Sequence, residues 1–146
     1  LAIWTIPPSY AELRAAMQVV RPSIVYVYAA TPGDDDAPTF MTRLAGMVKY
    51  ALNQRQGRAS VDVLAGALGQ RAITVRAGLR ALAAQGGIRV SEDEAGALQF
   101  TPGGQADDRE LRRSGEIVRA LLRETALFRA NWRGASIAAL TDDIRQ

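Results

Sequence analysis

Arginine is the residue type through which this sequence can do the most. Lys49 is the only lysine, and arginines recur at helical spacing in two places. Each guanidinium is a planar fork of donors that suits phosphate or carboxylate oxygens. In the first place, a helix is expected over residues 71–85. At about 100° per residue it turns Val75, Leu79 and Leu82 inward and leaves Ile73, Arg76, Ala77, Arg80 and Ala84 outward. Arg71, just ahead of it, is a weak N-cap that leaves helix-terminal amides open to an anion. In the second place, residues 107–132 read as one long amphipathic helix. Its core stripe is Leu111, Ile117, Val118, Leu121, Leu122 and Phe128. Arg109, Arg112, Arg119 and Arg123 fall opposite, with Glu116 among them.

An arginine face of this kind can engage phosphates or an acidic partner surface. A solvated face laced by Glu–Arg pairs carries the same pattern. On the first helix, Arg76 and Arg80 could reach base edges, but Ile73 and the alanines could not. That face suits backbone phosphates or an acidic–hydrophobic peptide better than sequence readout. The competing reading is a helix pair that serves only as a scaffold.

Other chemistries have little to work with. The chain has no cysteine and no histidine, which excludes disulfides, thiolate or imidazole metal sites, and the Ser-His-Asp triad. Asp34, Asp35 and Asp36 could touch a divalent cation, but no further ligand is spaced to complete the shell, and a solvated acidic loop is expected. The glycines at Gly66, Gly69, Gly103 and Gly104 fit neither phosphate-loop nor dinucleotide spacing. Asp107-Asp108 suits a helix N-terminus, and Asp142-Asp143 has no nearby partner. Trp4 and Trp132 read as core or domain-interface residues. The expectation is a chain that is not itself an enzyme and holds no metal or cofactor.

The elements that must position these side chains can be read in order. The 146 residues, 48% hydrophobic with a net charge of +3, suit one domain or two small subdomains. The opening on an apolar run reads as the start of an internal domain. The run from Ile24 to Ala30 is too short to span a bilayer, and no membrane partner is expected. Leu1 to Ile6 reads as a strand stopped by Pro7-Pro8. Ser9 and Glu12 form a capping box for a helix carrying Leu13, Met17 and Val20, which ends before Pro22. Ile24 to Ala30 is a second strand, and strand–helix–strand in so short a span predicts a parallel βαβ unit.

The acidic, turn-rich stretch at residues 31–38 marks a boundary. Met41 to Leu52 then predicts a helix ending near Gly57, and a Ser60-capped helix closes at Gly69. Arg71 to Gln85 closes at Gly86-Gly87. Ile88–Val90 and Leu98–Phe100 form a hairpin across a loop containing Gly96. That order predicts a winged helix-turn-helix. Thr101 to Gly104 is a stop before the long helix, and Ala135 to Ile144 reads as a last short helix. The expected fold class is α/β plus α: a βαβ subdomain (1–38), a winged-helix subdomain (39–103) and a C-terminal helical extension (104–146).

The run Leu1-Ala-Ile-Trp-Thr-Ile-Pro-Pro-Ser9, then Leu13 and Pro22-Ser-Ile-Val-Tyr26, resembles the stretch that follows the nuclease core in RecJ-type exonucleases of the DHH family. Phe40, Arg43 and Tyr50, and the order from Ser60 to Phe100, continue the resemblance. Residues 105–146 lie outside it and read as an extension. The resemblance implies a non-catalytic accessory domain of a 5′–3′ single-stranded-DNA exonuclease acting in cytoplasmic repair and recombination. Such enzymes hold Mn or Mg with Asp and His residues of motifs that this chain lacks. The implied partners are a RecQ-like or HerA-like helicase or translocase, the single-stranded-DNA-binding protein, the RecJ catalytic core, and single-stranded DNA itself. Two rivals stay open: a sequence-tolerant DNA-binding extension of the nuclease, and a winged-helix transcription regulator.

Overall fold

The computed structural model describes residues 1–30 and 35–134, a mixed α/β fold of five helices and two small sheets. Strand β1 (Ala2–Thr5), helix α1 (Tyr10–Val20) and strand β2 (Tyr26–Ala30) come first. β1 and β2 pair in parallel, with Ala2 opposite Tyr26 and Ile3 opposite Val27. Ser9 caps α1 by accepting from the Ala11 amide at 3.2 Å, and its hydroxyl donates to the Glu12 carboxylate. The helix ends as Arg21 enters the left-handed region at φ 45° and donates its N–H to the Met17 carbonyl. Its apolar stripe is shorter than expected: Leu13 is buried, but Val20 is exposed. Among the described residues the β1–β2 sheet gains no third strand. Trp4, expected in a core or interface, is exposed and stacks on Tyr28 with ring centroids 4.9 Å apart.

Helix α2 (Ala37–Gln54) begins earlier than its apolar spacing predicts. Asp36 is the reason: its carboxylate accepts from the Thr39 amide at 2.9 Å, and Pro38 sits in the first turn, where no amide partner is needed. Asp35 also differs from the expected solvated loop, because its carboxylate pairs with Arg129 and accepts from Gln70 at 2.9 Å.

There follow β3 (Arg58–Ser60), α3 (Val61–Leu68), α4 (Ala72–Ala84), β4 (Ile88–Glu92), β5 (Ala97–Pro102) and α5 (Asp108–Gly134). The second sheet is antiparallel in the order β3-β5-β4. β3 is a strand the sequence reading missed, since Arg-Ala-Ser has none of the β-branched or aromatic bulk that marks one. It exists because β5 offers it an edge, with Ala59 opposite Leu98. The main core joins Phe40, Leu44 and Val48 of α2 to Leu64 and Leu68 of α3, Val75 and Leu79 of α4, and Phe100 of β5. α2 and α4 pack closely at Gly78, where a Cβ would lie 2.6 Å from Leu44 and 2.8 Å from Phe40.

Asp107 starts α5 by accepting from the amides of Arg109 and Glu110, both at 3.0 Å. The buried face of α5 is Ser114, Val118, Leu122, Thr125, Arg129 and Trp132. Ile117, expected on the core stripe, is exposed instead. The stripe turns because α4 buries Ala77, Ala81 and Ala84, a face of small residues. Small polar residues on α5 fit that close approach better than large apolar ones. Trp132 also forms a second core with Ile6 and Leu13, so α5 completes the burial that the βαβ unit lacks. The expected helix 135–144 and Asp142-Asp143 lie outside the described residues.

Candidate docking surface

The outward face expected of α4 contracts in three dimensions. Ala77 and Ala84, placed outside by the spacing, are buried, which leaves Ile73 and Arg80 exposed and Arg76 partly so. The alanines misled because their size fits either face, and the partner that covers them lies far along the chain.

The arginines of this region are largely committed within the fold. Arg71 grips Glu124 of α5 through two bonds, Nη1 to Oε1 at 3.1 Å and Nη2 to Oε2 at 2.7 Å. Its side chain makes no bond to the first-turn amides of α4. Arg76 reaches Glu92 on the hairpin with Nε at 2.9 Å and Nη2 at 2.7 Å. These bonds hold the carboxyls of Glu92 and Glu124 below the usual glutamate range and raise the Arg76 guanidinium further. Arg80 is exposed and lies near enough to Glu92 to lower it a little more. Arg76 and Arg80 line a small depression of about 180 Å³ between α4 and the hairpin, with Leu79 and Val90.

The α5 arginines behave differently. Arg109, Arg112, Arg119 and Arg123 are all exposed. Among the described residues none of the four pairs with a carboxylate. Arg112 and Arg119 stand, with Glu116, beside a groove of about 620 Å³ between the start of α2, α4 and α5. Its floor is apolar, from Met41, Ala81, Leu111 and Val118. The two arginine constellations therefore edge separate depressions.

Arg129, which the sequence reading did not single out, is 2% exposed. Its Nε donates to the Ile6 carbonyl at 3.2 Å, and its two Nη atoms donate to Asp35 and to the Gly69 carbonyl. Burial lowers its affinity for the proton, and Asp35 works against that. The signal was present: Thr125, Arg129 and Trp132 follow Val118 and Leu122 at core spacing, so a charge falls on the inner face.

Among the described residues no helix is long and apolar enough to cross a membrane. No family model, curated protein or solved structure matches the chain.

Proposed function

We propose that this chain is a non-catalytic docking module of winged-helix architecture that serves a RecJ-like single-stranded-DNA exonuclease. It holds a repair partner, either a helicase or translocase or the single-stranded-DNA-binding protein. The order α2, β3, α3, α4, β4, β5, with β5 central in its sheet, supports the winged-helix description.

One observation carries the docking role. Arg71, Arg76 and Arg129 meet carboxylates within the chain, whereas Arg112 and Arg119 of α5 are exposed, pair with no carboxylate among the described residues and stand beside an apolar groove. An apolar floor with unpaired cations at its rim suits a protein surface that brings both apolar side chains and carboxylates. A uniform phosphate track needs only the cations. Arg71 and Arg76 are occupied, which argues against base readout by α4.

The test is a paired titration at low and physiological salt against labelled single-stranded DNA, a repair helicase, and a single-stranded-DNA-binding protein. Protein binding that an Arg112→Glu/Arg119→Glu variant loses, with negligible DNA affinity, is the expected result. DNA affinity that collapses with salt, without a protein partner, would make the chain a DNA-tracking extension and overturn the docking role.

A further inference from the structure

A second groove, sharing no residue with the first, runs between α2, β3 and α3 and encloses about 890 Å³. Its surface is mostly apolar, from Met47, Leu64 and Ala67, with Tyr50 and Val63 at the lips. Those last two are 56% and 63% exposed, a large apolar area at the surface. Gly46 lines the same groove, and a Cβ built there would meet nothing within 4 Å. The depression thus has room for an inserted side chain without any rearrangement.

The charge around it is of one sign. Arg43, Arg55 and Arg58 line the groove, and among the described residues no acidic side chain does. Arg43 donates to the Ala67 carbonyl at 3.1 Å. The Arg55 guanidinium lies 5.8 Å from the centroid of the Tyr50 ring, a cation–π contact that leaves its outer N–H groups available. Among the described residues neither Arg55 nor Arg58 meets a carboxylate, unlike Arg71, Arg76 and Arg129.

We propose that this groove is a binding site for a short acidic peptide segment of a partner protein. An apolar side chain of the segment seats between Gly46, Met47, Leu64 and Ala67, and its flanking carboxylates pair with Arg55 and Arg58. Charge complementarity selects this occupant. Arg55 and Arg58 can each take an anion, and a carboxylate suits the guanidinium fork. The apolar walls select against a nucleic acid strand, which uses a charged track and ring faces and gains little from a methionine–leucine floor. An amphipathic segment that lays its apolar side into a groove satisfies both conditions. The site is independent of the α5 face, so either can fail without the other.

The experiment is a selection of random displayed peptides on the whole chain, counter-selected on Gly46→Leu. Leucine at position 46 fills the groove from within and favours the helix over glycine, so the variant keeps its fold, which thermal unfolding verifies. The expected winners carry Asp or Glu beside a leucine or aromatic residue. Synthesised, they lose about tenfold or more in affinity on Gly46→Leu, which blocks the apolar seat, and on Arg55→Glu/Arg58→Glu, which sets like charge against their carboxylates. The proposal is overturned if no peptide is enriched on the wild type over Gly46→Leu, or if the winners are basic or uncharged. It is equally overturned if an oligothymidine strand, titrated alongside, binds in a way that Gly46→Leu abolishes.

Discussion

Arg129 and Asp35, 94 residues apart in the chain, form an ion pair at the point where three parts of the fold meet. The same guanidinium also takes the carbonyls of Ile6, at the end of the first strand, and Gly69, in the turn between α3 and α4. Gln70 donates to the same Asp35 oxygen. The N-terminal unit is thereby fastened to α5 and to the helical core by one side chain that is 2% exposed.

Removing the Asp35 charge leaves the buried Arg129 guanidinium with only the Ile6 and Gly69 carbonyls as partners. Asp35→Asn is expected to cost roughly 3 kcal/mol in urea unfolding, the low end for a broken buried pair, because Asp35 keeps some contact with solvent. Arg129→Met/Asp35→Asn together should cost less than the sum of the single changes. Additive losses would show that the two side chains do not act as a pair.

Acid should loosen the contacts of α4 with α5 and with the hairpin. Glu124 and Glu92 bind a proton less readily in the fold than in the unfolded chain, through their bonds to Arg71 and Arg76. Their stabilisation is therefore full above the ordinary glutamate range and is lost as pH falls through the lowered folded values. Both pairs are solvent-accessible, so the effect is modest. A Glu92→Gln/Glu124→Gln variant should show a flatter decline of Tm between neutral and acidic pH than the wild type. Parallel curves would contradict it.

Two glycines inside helices should respond to alanine with opposite signs. At Gly46 the space is open, so Gly46→Ala should stabilise by roughly 0.5–1 kcal/mol through helix propensity alone. At Gly78 the new Cβ meets the buried Leu44 and Phe40 side chains, and Gly78→Ala should destabilise by roughly 1–3 kcal/mol. Urea midpoints of the two variants decide both.

Among the described residues, the buried hydroxyls of Thr74 and Thr125 have no hydrogen-bond partner. Replacing a buried, unsatisfied hydroxyl with a methyl removes a desolvation cost. Thr125→Val is therefore expected to gain about 1 kcal/mol. A loss of that size would show that the hydroxyl is satisfied in solution.

Charge reversal on the exposed α5 face should leave the fold almost untouched. Arg112→Glu/Arg119→Glu is expected to change unfolding free energy by no more than about 0.5 kcal/mol, since neither side chain pairs with a carboxylate among the described residues. A large loss in a thermal scan would give these arginines a structural duty.

Much of the element order was legible because local chemistry wrote it. Ser9 with Glu12, Pro7-Pro8, Gly69 and Asp107 each act on neighbours a few residues away, and the helices start or stop where those residues stand. The parallel pairing of the first two strands followed from the length of their connection. The exposed arginines of α5 were legible from spacing alone, because a helix with a strong apolar stripe must turn its charges outward.

Other features were decided by partners distant in sequence. Asp35 and Asp36 look alike on paper, yet one closes an ion pair with Arg129 and the other starts a helix. Arg71 and Arg76 carry the same composition signal as Arg112 and Arg119, and only the tertiary fold brings Glu124 and Glu92 to the first pair. Ala77 and Ala84 fit either side of a helix until α5 covers them. β3 is a strand only because β5 lies beside it. The sequence by itself determined most of the described helices, the caps at Ser9 and Asp107, and the excess of guanidinium over lysine. Tertiary structure decided which of those charges are spent inside the molecule and which remain outside. An ion pair depends on two side chains meeting in space, and no local pattern records where the second one lies.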